Sequence, residues 1–164
     1  MNETHRLFIQ ISRNRMMEHY LYKLVKSIHS VPVKDLWILE QDHMNSLGGI
    51  VLHICEQVKR HIRRYSNLEM VQGDIRDYFP NLDLESDELI VIVKDIFVEW
   101  KVLIDRYLNG EYPIERLDMN DVYHMVEHTG YHLGQIVDRT QRISNTSFQF
   151  VQNGINEKNL RSLL

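Results

Sequence analysis

Apolar residues recur three and four positions apart along four long segments of the chain, which is the spacing of a helix that buries one face. The first segment alone carries eight such positions: Leu7, Phe8, Ile11, Met16, Leu21, Leu24, Val25 and Ile28. The pattern predicts four long amphipathic helices, over residues 5–28, from near 43–45 to 65, over 86–108 and over 118–143.

Residues that start or stop helices stand at the ends of these segments. Pro32 cannot continue the first helix, and a short helix over residues 36–40 is expected after it. Ser86 can cap the first turn of the third helix, and Gly110 is a typical residue to end it. Asp118 is the predicted start of the fourth helix.

Four helices of about 20 residues, each with one apolar face, predict an all-α fold of the antiparallel four-helix-bundle type. The whole chain, residues 1–164, is expected to form this single domain, and one or two turns after Gly154 would add a short C-terminal helix. The connection over residues 66–85 is long for a compact bundle. Connections of that length are often functional.

Composition and charge restrict the environment and the partners. The chain has 164 residues and a net charge of -4, which argues against nucleic acid as the main partner, and the basic run over residues 59–64 is interpreted as a solvated helix end. No segment resembles a signal peptide or approaches the ~20 apolar residues of a membrane span. The single cysteine, Cys55, suits a reducing compartment. We therefore expect a cytoplasmic protein that binds neither nucleic acid nor membranes.

Histidine is unusually frequent, with 9 residues, and the fourth predicted helix carries three of them beside its apolar face. At ~100° per residue, His124 and His132 lie about 40° to either side of His128, and Tyr131 and Gln135 share this narrow polar stripe. Imidazoles one turn apart, ~6 Å along the axis, can bind one ion. Because His124 and His132 are ~12 Å apart, spacing leaves two ligand pairs open, 124/128 and 128/132.

The second predicted helix places His53 in a matching position, at the margin of an apolar arc. Gln57 and Glu56 flank it at about 40° and about 60° on opposite sides. If both arcs face one core, His53 and the histidines of the fourth helix point into one cleft, where a metal ion would keep open positions. From the residues alone, two interpretations remain open. The histidines either form a metal site or form a polar seam, that is, a row of hydrogen-bonded polar side chains with a purely structural role in the core.

Two segments resemble a known family. The second helix contains Asn45-Ser46 and, further on, Leu52-His53, and the fourth contains His124, His128 and the run His132-Leu133-Gly134-Gln135-Ile136. These segments, and the helix order of nearly the whole chain, resemble the DinB/YfiT-like family of metalloenzymes. The resemblance implies a four-helix bundle in which His53, His128 and His132 bind one metal ion. It also implies that His124, Tyr131 and Gln135 are neighbours of the site.

The chain departs from this family's pattern at one point. Members often carry a second histidine and an arginine in the HHRGQ stretch, where this chain has Tyr131 and Leu133. The departure removes none of the implied ligands, but it puts in doubt any substrate contact that those two side chains would make.

The resemblance implies chemistry with low-molecular-weight thiols such as bacillithiol, mycothiol or glutathione, and it implies a homodimer. We therefore expect one divalent transition metal, zinc or nickel before iron, copper or manganese, and an enzyme of the thiol S-transferase or hydrolase type that acts on a small molecule. The catalytic base is not identified, since Glu56 and Glu127 both lie at marginal angles. The alternatives are a bundle that binds metal without turnover and a bundle used only for dimerisation.

Overall fold

The computed structural model describes residues 3–66 and 78–164, and these residues form an all-helical fold without strands, as predicted. The main elements are α1 (Glu3–Asn14), α2 (Tyr22–His29), α3 (Val33–Leu36), α4 (Leu47–Tyr65), α5 (Ser86–Leu108), α6 (Met119–Ser144) and α7 (Glu157–Arg161). A π-helical segment (Arg15–Leu21) joins α1 to α2, and a 3-10 turn (Ile114–Arg116) precedes α6.

The ends of α3 and α4 differ from the predicted ones. The short helix α3 covers 33–36 rather than 36–40, because Pro32, with a φ of -57°, stands at the position before its first turn. The predicted start of the second long helix, near residues 43–45, was two to four residues early, since α4 begins at Leu47. Ser46 caps α4 instead, and its hydroxyl accepts the N–H of Gly49 at 3.0 Å.

The ends of α5 and α6 are set by acidic caps. The predicted cap Ser86 is wrong, since the N-cap of α5 is Glu85, which forms a reciprocal capping box with Glu88. Asp118 caps α6 as predicted and accepts the N–H of Asn120 at 2.8 Å. At the other end of α6, Asn145 adopts a left-handed conformation, which stops the helix.

The long helices pack side by side around a common core. Helix α4 packs against α5 and α6, and α1 and α2 pack against the same two helices. Trp100 of α5 is fully buried in this core, and its indole N–H donates to His61 of α4 at 3.2 Å. Cys55 is buried as expected. The α4–α6 contact is the one that brings the candidate histidines together.

Part of the long connection before α5 packs over α3 and α4. The indole N–H of Trp37 donates to the Leu84 carbonyl at 2.9 Å, and the Asn81 amide donates to the Trp37 carbonyl at 3.2 Å. The sequence predicted that the whole connection, residues 66–85, is functional. Its remaining part, residues 67–77, lies outside the described residues. Within the described ranges, no helix is both long and apolar enough to cross a membrane.

Candidate metal centre

Three imidazoles from two helices meet at the α4–α6 contact. His53 of α4 and His128 and His132 of α6 each present one ring nitrogen, and these nitrogens all lie within 4.8 Å of one another. The Nε2 atoms of His53 and His128 are 3.1 Å apart. His124 contacts His128, with ring centroids 5.5 Å apart, but it does not belong to the cluster. Spacing left two ligand pairs open, His124 with His128 and His128 with His132. The structure places the second pair, and not the first, together with His53.

Hydrogen bonds on the outer side of two rings fix which nitrogen faces the cluster. His53 Nδ1 lies 3.0 Å from the Tyr78 carbonyl, and His132 Nδ1 lies 2.8 Å from Oε1 of Gln135. Carbonyl oxygens only accept, so each Nδ1 carries the proton and each Nε2 keeps its lone pair. Metal-binding histidines typically make such an outer hydrogen bond.

His128 has no equivalent support. Its Nδ1 is buried and has no hydrogen-bond partner among the described residues. Burial, followed by the neighbouring His132, His53 and His124, lowers the pKa of His128 to about 4, and burial also lowers the pKa of His53. The two rings are therefore neutral near pH 7. Neutral imidazole nitrogens that converge from two helices fit the donor set of a divalent transition metal.

The segment that begins at Tyr78 packs over one of the three histidines. The Phe79 ring stacks on His53, with centroids 4.4 Å apart. The close approach of this backbone depends on Gly49, because a Cβ there would lie only 3.1 Å from the Phe79 carbonyl oxygen. Gly49 stands one turn before His53 on α4, so the helix that carries His53 also makes room for the segment that covers its ring.

A cleft of about 450 Å³ opens beside His132. Its lining includes Asn45, Ile50, Phe79, Tyr131, Gln135 and Arg139. Arg139 is buried and is held by Glu40 at 2.9 Å and by the Asn45 carbonyl at 2.7 Å. The cleft thus combines apolar and aromatic walls with a few fixed polar groups, which is the usual character of a small-molecule site.

The remaining predicted site residues surround the three histidines, and they differ in what they contact. Tyr131 packs against His132 at a centroid distance of 5.0 Å, and the Gln135 amide donates to its hydroxyl at 3.4 Å. Gln57 and His124 line a separate, smaller cavity. Glu56 accepts from Arg63 at 2.6 Å, so its carboxylate is already paired.

Three residues near the centre were not found by sequence reasoning. Tyr78 and Phe79 belong to the long connection, whose length was the only signal that it could matter. The interpretation of the basic run as a solvated helix end was wrong for His61, which is buried at 5% exposure. His61 follows Val58 by three residues and Ile54 by seven, a helical spacing that places it on the same apolar face and could have indicated its burial.

Comparison of the chain with protein-family models, with curated proteins and with solved structures finds no match. Membership of the DinB/YfiT-like family therefore stays a prediction. Function has to be inferred from the histidine centre and the cleft beside it.

Proposed function

We propose that the chain binds one divalent transition metal through His53, His128 and His132, with zinc or nickel preferred over iron, copper or manganese. The observation that carries this proposal is the meeting of three imidazole nitrogens within 4.8 Å. A separation of 3.1 Å between two of them is close to that of nitrogens bound at about 2.0–2.1 Å to a single ion. The carbonyl partners of His53 and His132 support the same assignment.

The proposal includes a four-helix bundle of the DinB/YfiT-like type that forms a homodimer. Four long helical segments support a bundle: the continuous stretch from α1 to α2, and the helices α4, α5 and α6. These four segments pack against one another. On α5, Val91, Val98 and Val102 are 46–55% exposed at spacings of seven and four residues. This apolar stripe supports the pairing of two copies.

The activity that we propose is transfer or hydrolysis on a small molecule, with a thiol as the preferred reactant. When bound, a divalent ion with three neutral ligands would lower the pKa of a thiol or a water molecule and supply thiolate or hydroxide near neutral pH. Gln135 and the Tyr78 carbonyl hold two ligand rings in place, and Phe79 shields His53 from water.

The cleft favours a thiol over water as the nucleophile. Asp138 is the carboxylate among the cleft residues that the structure describes, and it pairs with Arg142 at 2.7 Å. Hydrolysis commonly needs an unpaired base to take a proton from water, whereas a thiol ionises much more readily. The described lining thus suits thiol transfer without a dedicated base.

Metal-dependent thiol conjugation is the test of this activity. Zinc-loaded protein is expected to accelerate conjugation of glutathione, bacillithiol or mycothiol to an electrophile, and chelation should abolish the acceleration. Gln135→Leu should lower the rate about 10- to 100-fold, because it removes the partner of His132 Nδ1. His29→Gln, at an exposed position on α2, is the matched control and should retain the full rate. Tight zinc binding without turnover of any of these thiols would contradict the transferase and favour a non-catalytic metal site.

A further inference from the structure

A second cavity, of about 220 Å³, lies between α4 and α6 beyond the histidine centre. Its polar lining consists of Gln57, Arg60, His61, Arg64, Asp121 and His124. Gln57 follows His53 by four residues, and His124 precedes His128 by four, so the cavity begins one helical turn, ~6 Å, from the centre. The cavity and the histidine centre are therefore neighbours along both helices.

The cavity has an excess of positive charge. Arg64 pairs with Asp121 at 2.6 Å, so these two charges balance. Arg60 lies 3.6 Å from Glu56, but the same Glu56 oxygen is held more closely by Arg63, at 2.6 Å. The guanidinium of Arg60 is thus only weakly neutralised, and it can interact with an incoming anion.

His61 adds a buried donor that lacks an acceptor. Its Nδ1 accepts the Trp100 indole N–H at 3.2 Å, so in the neutral ring the proton resides on Nε2. Nε2 is buried and has no hydrogen-bond partner within the described part of the chain. Buried N–H groups are nearly always paired, and an unpaired one indicates a missing acceptor. Because His61 lines the cavity, a bound anion can supply that acceptor.

We propose that this cavity binds the anionic group, a carboxylate or a phosphate, of the small molecule whose other end reaches the metal centre. Arg60 supplies the unbalanced charge, and the Gln57 amide and His61 Nε2–H supply directional donors. That the anion belongs to the substrate of the metal rests on the function proposed above. The anion site itself depends only on the cavity and its lining.

Titration calorimetry with inorganic phosphate and with acetate tests the proposal on metal-stripped and zinc-loaded protein. Wild type should bind at least one of the two anions, and comparing the two shows which group the cavity takes. Arg60→Gln should weaken that binding about tenfold or more, since it removes a charge-assisted hydrogen bond. Lys59→Gln is the matched control, because it removes one positive charge from an exposed position on the same helix, outside the cavity. It should leave the affinity unchanged.

Imidazole NMR provides a second readout that does not depend on a variant. The His61 Nε2–H resonance should shift on saturation with the bound anion. Absence of binding by both anions, or an equal loss of affinity in Arg60→Gln and Lys59→Gln, would overturn the anion site. Anion binding that requires Arg60 in a protein that takes up no zinc would support the anion site while refuting the metal proposal.

Discussion

Zinc is expected to stabilise the wild-type protein strongly and to leave a His128→Leu variant unchanged. A ligand that binds only the folded state adds about 2.7 kcal/mol at a free concentration 100 times its Kd. For a chain of this size that gain corresponds to a rise in Tm of roughly 5–10 °C. Thermal unfolding with and without zinc measures the effect. His124→Leu, at a neighbouring histidine outside the cluster, is the control and should keep the full gain.

Without metal, His128→Leu is expected to be neutral or stabilising. His128 Nδ1 is buried without a partner among the described residues. Such an atom costs about 1–3 kcal/mol, and avoiding this cost with leucine offsets the loss of the 3.1 Å contact between the Nε2 atoms of His53 and His128. A structural polar seam would behave in the opposite way, because loss of a satisfied side chain destabilises a core. A strongly destabilised metal-free variant would therefore favour the seam over the metal site.

Acid is expected to destabilise the metal-free protein between pH 6.5 and about 4, and His61 should contribute much of the loss. Burial lowers the pKa of His61 from 6.5 to about 4. Below pH 6.5 the unfolded chain binds a proton at this position that the folded protein does not accept, so the free energy of unfolding falls. At about 1.4 kcal/mol per pH unit, the loss reaches about 3 kcal/mol near pH 4 and then stops growing.

His61→Gln separates this contribution from that of the histidine centre. Glutamine retains an acceptor for the Trp100 indole N–H and does not titrate. Urea unfolding in the presence of chelator, at several values between pH 7 and pH 4, should show a loss about 3 kcal/mol smaller in the variant than in wild type. The exposed His29→Gln variant should follow wild type. An unchanged pH dependence in His61→Gln would contradict the assignment.

The sequence predicted the long helices well because each carries a regular apolar stripe. It did not predict the π-helical widening at Arg15–Leu21, where His19 is buried. Such a widening depends on how the helix packs against its neighbours, so the periodicity of the local sequence does not predict it. The cap of α5 was displaced by one residue, because Glu85 and Ser86 are both able to accept at a helix start.

The candidate centre was only partly predictable for a similar reason. Helical angles placed His53 and His128 beside apolar faces, but their meeting depends on the axial alignment and rotation of α4 against α6. Spacing could not choose between His124 and His132, and the family resemblance made that choice. Tyr78 and Phe79 lie 25 and 26 residues from His53, in a segment without periodicity, so their contacts with that ring could not be predicted.

Elemental analysis of the purified protein is the most direct test of the central claim that three histidines bind one metal ion. Wild type and the double variant His53→Ala, His132→Ala would be prepared in parallel, with circular dichroism to verify that both are folded. We predict close to one equivalent of a divalent transition metal per wild-type chain and almost none in the variant. Equal metal content in the two folded proteins would contradict the claim.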